Sequence, residues 1–293
     1  MKRISSTCIL LALFLVCGCD QPTPKSDPAP PVVAEPPAAE PTSESLENSV
    51  LKIRLSEDKT VWQAEVRDVQ AVLDSAGAEL MKHFPGRFVE PITVHAKGGP
   101  ITLYDRDSKG GYTVKLNTGN RFWAQCSFQF AHELCHVLSN YREDENPNGW
   151  FEESLCEAAS LFVLREMGKT WETDPPFSNW KSYSVNLTKY AQDRIDSAAL
   201  QTRRPLSEWF AVKEMRLRKS QGQRELNNVV AIKLLPLFEE YPAGWETIAW
   251  LNVDESFPDD SFHEYLSRWR YYVPKRHREF VEKVAFEFGI AFE

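Results

Sequence analysis

The chain has 293 residues and carries 34 Lys and Arg against 42 Asp and Glu, a formal charge of −8. An acidic balance of this kind argues against a polyanion, nucleic acid above all, as the main partner. A Pro-rich stretch near the N-terminus cannot bury a core, and the roughly 240 residues beyond it suffice for one domain of two lobes or for two small domains.

Lys2 and Arg3, followed by the apolar run from Ile9 to Val16, read as an export signal, because the run is too short to span a bilayer. The sequence Val16-Cys17-Gly18-Cys19 then resembles a bacterial lipobox, in which a small residue precedes the cysteine that is acylated. That resemblance implies a lipoprotein signal peptide over 1–18, cleavage before Cys19, and lipid on Cys19 as a membrane anchor. Residues 19–50 hold this cysteine and a tether dense in Pro, Ala, Ser, Thr and Glu, the composition of an extended, solvated linker. Cleavage removes two positive charges and takes the formal charge to −10. Asp20 resembles the inner-membrane retention signal of some Gram-negative bacteria, so the expected location is the cell envelope, facing the periplasm or the exterior. Cys126, Cys135 and Cys156 remain in the folded part. One disulfide with a free thiol, or three buried thiols, both suit that count.

The folded region is expected over 51–293, with lobes of about 51–170 and 171–293. Val66, Val69, Val72, Leu73, Ala76, Leu80 and Phe84 predict a helix over 66–84, closed by Pro85-Gly86. Three β-like runs, 92–96, 101–104 and 112–117, are separated by Gly- and Asp-containing turns and predict a small antiparallel sheet. Helical periodicity returns over 122–138 and 150–167. Beyond Asp174-Pro175-Pro176 the chain reads as mostly helical, with apolar spacing over 229–238, 244–251, 262–272 and 279–288. The fold class is therefore α+β: a small antiparallel sheet, two motif helices and a mostly helical C-terminal half.

The first motif helix carries His132-Glu133-Leu134-Cys135-His136. Histidines at i and i+4 lie about 40° apart around a helix, so both imidazoles can reach one metal ion. Glu133 then stands where it can take a proton from a water activated by the metal. The surrounding residues Phe128, Phe130, Leu134, Val137 and Leu138 are apolar, and a half-buried polar trio needs a partner that a metal supplies. A catalytic zinc takes three protein ligands, and the second helix offers Glu152, Glu153 and Glu157. Glu152 and Glu153 point about 100° apart, so one of them at most faces the metal, whereas Glu153 and Glu157 share a face.

Taken together, His132-Glu-Leu-Cys-His136-Val-Leu and Trp150-Phe-Glu-Glu153-Ser-Leu-Cys-Glu157 resemble the gluzincin metallopeptidases over about 40 residues. The resemblance implies Zn²⁺ held by His132, His136 and Glu153, with Glu133 as general base and Glu157 orienting a zinc-bound histidine. Ser154 stands where that family usually has Gly, and the stretch between His136 and Glu153 is short. The family also implies an edge strand for an extended substrate, for which Tyr112 to Asn117 is the candidate. It implies an oxyanion donor as well, among Tyr183, Tyr190, His263, Tyr265, Tyr271 and Tyr272. His83, His95 and His277 fall outside any ligand spacing, and Lys275-Arg276-His277-Arg278 reads as a solvated helix start.

The expected function is thus an extracytoplasmic zinc metallopeptidase that hydrolyses peptide or protein substrates, with membrane contact through its lipid and no nucleic-acid partner. The alternative is an exported lipoprotein that binds a partner and keeps a structural or vestigial metal site. The glutamate beside the first histidine separates them, since a structural zinc site has no use for it.

Overall fold

The computed structural model describes residues 51–56, 59–143 and 145–292. The expected signal peptide, Cys19 and the tether lie outside the described residues. Among these residues no helix is long and apolar enough to cross a membrane.

Helix α1 (Val66–Met81) buries Val69, Val72, Leu73, Ala76 and Leu80, the face its spacing predicts. The strands are β1 (Ile53–Leu55), β2 (Ile92–His95), β3 (Ile101–Thr102) and β4 (Tyr112–Lys115), in the sheet order β1-β2-β4-β3. The sheet is mixed and not antiparallel as expected: β1 runs parallel to β2, β2 runs parallel to β4, and only β3 and β4 are antiparallel. Parallel neighbours need a crossover of about a dozen residues or more. Helix α1 provides one, and the segment between β2 and β4, with β3 inside it, provides the other. The turn at Lys97 to Pro100 therefore carries the chain past β4 to the far edge of the sheet. Gly99 is required on that path, because a Cβ there would lie 1.9 Å from the Lys115 carbonyl oxygen.

Helices α2 (Trp123–Leu138) and α3 (Gly149–Trp171) pack against each other and form the centre of the molecule. From Ser154 to Leu164 every residue of α3 is buried, so this helix is enclosed on all sides, as an interior helix must be. The C-terminal half supplies its cover: α4 (Ser184–Ala199), α5 (Leu206–Leu217), α6 (Arg224–Glu240), α7 (Phe262–Tyr272) and α8 (Lys275–Glu287), with 3₁₀ turns at Ser178–Tyr183 and Pro242–Trp250. The α+β class with a mostly helical C-terminal half is what the chain adopts. Helix α7 starts where its spacing predicts because Ser261 and Glu264 form a capping box.

One hydrophobic cluster runs from Trp62 to Phe288, through both expected lobes. Its aromatic knot lies at the start of α3, where Phe262 meets Trp150, Phe151, Phe210 and Phe288 at centroid distances of 4.8, 5.2, 5.2 and 4.9 Å. Trp150 and Phe151 thereby anchor α3 to α5, α7 and α8. Glu152 and Glu153, next in sequence, are set at a fixed height on the other side. Cys126, Cys135 and Cys156 are all free and buried.

Candidate metal centre

His132, Glu133 and His136 come from α2, and Glu152, Glu153 and Glu157 come from α3; all six line one cavity of about 320 Å³. Glu153 is nearest the Nε2 atoms of both histidines: its Oε2 lies 3.3 Å from His132 Nε2, and its Oε1 lies 3.6 Å from His136 Nε2. The two imidazoles stand edge to face with centroids 5.0 Å apart. Each Nδ1 has a carboxylate behind it. Glu152 Oε1 accepts from His136 Nδ1 at 2.7 Å, and Glu157 Oε2 stands 3.8 Å from His132 Nδ1.

Glu152 is held as firmly as it holds. Its Oε1 also accepts from the Ser139 hydroxyl, and its Oε2 accepts from Asn252 Nδ2, each at 2.7 Å. Asn252 in turn accepts from the Tyr265 hydroxyl at 2.9 Å. On Glu157, Oε1 accepts from the Asn228 amide at 3.1 Å once that amide is oriented to satisfy its neighbours. Glu133 is 3 % exposed, and the Thr102 hydroxyl of β3 donates to its Oε2 at 2.8 Å.

These contacts set the charges of the site. Burial alone would lower the pKa of His136, but the Glu152 hydrogen bond and the charges of Glu152, Glu153 and Glu133 lift it to about 10. Burial also works against charge on Glu153, yet the hydrogen bond to His132 and the charges of His136, His132 and Arg224 bring it down to about 2. His136 would then carry a proton between carboxylates, one that a metal held there would displace. With Nδ1 donating to Glu152, Nε2 would be the His136 nitrogen open to a metal.

A second donor set overlaps the first. One ligand atom each from His132, His136 and Cys156 lie within 4.8 Å of one another. Cys156 is fully buried, and burial, a hydrogen bond with Cys135 and the nearby Cys135, Glu152 and Glu153 hold its thiol well above the ordinary range.

Several expectations about the surroundings need correction. The strand beside the site is β3, not Tyr112 to Asn117, because β4 is paired on both sides whereas β3 is paired on one side only. None of Tyr183, Tyr190, His263, Tyr265, Tyr271 and Tyr272 lines the cavity; Tyr265 reaches toward the site through Asn252. The cavity tyrosines are Tyr104 and Tyr141, stacked with centroids 5.4 Å apart, and Tyr141 donates to the Leu103 carbonyl. They sit in loops without periodicity, so no pattern in the sequence marks them. His277 is not part of a solvated helix start. It is buried, and its Nε2 lies 2.8 Å from Glu246 Oε2.

Comparison of the chain with protein-family models, curated proteins and solved structures returns no match. The functional reading therefore rests on the residues of the site.

Proposed function

We propose that this chain is a zinc-dependent peptidase in which His132, His136 and Glu153 hold the metal and Glu133 is the general base. In this reading it works outside the cytoplasm, tethered through lipid on Cys19, on a peptide or protein substrate. The observation that carries the proposal is the convergence of two Nε2 atoms on one carboxylate at 3.3 and 3.6 Å, with a carboxylate behind each Nδ1. Glu153 meets the two histidines through different oxygens, so holding one zinc about 2.0 to 2.2 Å from each donor would need some adjustment of the side chains. His₂Glu is also a donor set that leaves a fourth position open, as catalysis needs. Cys156 fits this role less well, since its thiol is fully buried and faces Cys135.

When bound, the metal contributes Lewis-acid polarisation of a carbonyl and of water. The protein supplies the rest. Thr102 holds Glu133 Oε2, so that the carboxylate has a set orientation from which to accept a proton from the attacking water and return it to the leaving amine. Tyr141 on the cavity wall would serve a developing oxyanion only by giving up its hydrogen bond to the Leu103 carbonyl. The outer side of β3 offers backbone groups to an extended chain next to Glu133.

The test combines metal analysis with digestion of a peptide library. Wild type should hold one zinc per chain and cleave, and Glu133→Gln should keep the zinc while cleavage falls about 10² to 10⁴-fold. Zinc binding with no cleavage of any peptide would support the binding-module alternative instead. Cys156→Ser should keep the metal and Glu153→Ala should lose it; the opposite result would move the third ligand to the thiol.

A further inference from the structure

The two flanks of the cavity differ in chemistry. On the α2 flank stand β3 and the stacked pair Tyr104 and Tyr141. On the α3 flank, which α6 covers, stand Gln221, Arg224 and Asn228, with Arg142 also on the cavity wall. Arg142 and Arg224 are the two guanidinium groups of a cavity that otherwise contains four glutamates.

Neither arginine is consumed by those glutamates. Arg142 donates through one amino group to the Asn252 carbonyl, and Asn252 is itself held by Glu152 and Tyr265. A guanidinium has five N–H groups, so this contact fixes the side chain and leaves most of its donors available. Arg224 makes no side-chain hydrogen bond or ion pair among the described residues. Elsewhere Arg165, Arg268, Arg270 and Arg276 each pair with a carboxylate. Glu152, Glu153 and Glu157 are engaged by the two histidines and by Ser139, Asn252 and Asn228, and Arg224 acts on Glu153 through its charge without an ion pair.

We infer that Arg224 and Arg142 form a carboxylate-recognition subsite, so that the preferred peptide presents a carboxylate beside the bond that is cut. The inference rests on the peptidase reading and names its substrate class. A planar guanidinium fork matches a carboxylate, and Arg142, held by the Asn252 carbonyl, loses less entropy on binding than the exposed Arg224, which would be ordered by the ligand. The carboxylate has two possible sources, the free C-terminus of a short peptide or an Asp or Glu side chain within a longer one.

The experiment uses the full chain, zinc-loaded in detergent, and matched peptides. One pair differs in a free or an amidated C-terminus, and a second, with both ends blocked, differs in Glu or Gln next to the scissile bond. Cleavage gives kcat and KM, and calorimetry on the same peptides gives binding independently of turnover. The carboxylate form of at least one pair should be preferred about 10 to 100-fold, mainly through KM, as expected for a charge-assisted hydrogen bond. Arg224→Gln should bring that ratio close to one, and Arg224→Lys should restore part of it. The first pair responding assigns the C-terminus; the second assigns an acidic side chain. Equal handling of both members of both pairs overturns the subsite and leaves the peptidase reading in place. So does an Arg224→Gln variant that slows all peptides alike, since Arg224 would then only support Glu153. If no peptide is cleaved but calorimetry still separates carboxylate from its neutral partner, the subsite stands and the peptidase reading falls. If calorimetry shows no separation either, both fall.

Discussion

Two histidine–carboxylate pairs in this protein begin with nearly the same contact and end in different chemistry. His136 gives its Nδ1 to Glu152 at 2.7 Å, and His277 meets Glu246 through Nε2 at 2.8 Å. In the second pair the same carboxylate also accepts from Arg276 at 2.7 Å, and the imidazole packs near Trp250 with centroids 6.1 Å apart. That pair is a closed polar link between α8 and the 3₁₀ turn Pro242–Trp250. At His136 the remaining nitrogen faces a second carboxylate, a second histidine and a cavity. A buried histidine with a glutamate does not by itself suggest a metal site; at His136 the suggestion comes from the second ring nitrogen, which is directed at further donors.

The sharpest way to break this contrast is to delete each histidine. His132→Ala, His136→Ala and Glu153→Ala should each abolish stoichiometric zinc binding, because two remaining ligands are too few for a tight site. His277→Ala should retain all of its zinc and instead cost roughly 1 to 3 kcal/mol of stability, the penalty of leaving Glu246 short of a partner. Metal analysis and denaturant unfolding on the same samples separate the two effects. Zinc lost from the His277 variant, or kept in the His136 variant, would erase the distinction.

The next effect concerns the carboxylate behind the ligand. Glu152→Gln keeps a hydrogen-bonding group at that position but removes the charge that supports His136, and zinc affinity should weaken about 10 to 100-fold. Asn252→Ala, one step further out, should weaken it less. Competition with a chromogenic chelator reads both, and an Asn252 effect larger than the Glu152 effect would contradict the order of contacts.

A smaller effect should appear in the pH dependence of the metal-stripped protein. The pKa of His136 is raised from 6.5 to about 10, so its stabilising contribution is complete below pH 6.5 and is lost as pH rises through 10. The pKa of Glu153 is lowered from 4.5 to about 2, so its contribution is present above pH 4.5 and is lost as pH falls through 2. For these two groups stability is greatest between about pH 4.5 and 6.5. Thermal unfolding should show Tm declining on the alkaline side, and His136→Gln should flatten that limb. An unchanged limb in the variant would assign the decline to other groups.

What the sequence alone determined is what local geometry determines. Helical spacing put His132 and His136 on one face of α2 and Glu153 and Glu157 on one face of α3, since a rise of 1.5 Å and a turn of 100° per residue hold in any context. The apolar face of α1, the start of α7 and the α+β class were legible for the same reason. The tertiary structure decided whatever depends on which distant segments meet. Strand direction was one such matter, because a turn of Gly and Pro looks the same whether the chain folds back on its neighbour or passes over to the far edge. The role of Glu152 was another: its position in the helix says only that it cannot share a direction with Glu153, and Ser139 at the end of α2 together with Asn252 after the 3₁₀ turn Pro242–Trp250 hold it toward His136. Tyr104, Tyr141, Arg142 and Arg224 reach the cavity from loops and from a helix end far apart in sequence. Their convergence comes from the packing of α6 and of β3 on the two sides of the α2–α3 pair, a relation between surfaces that no local pattern encodes.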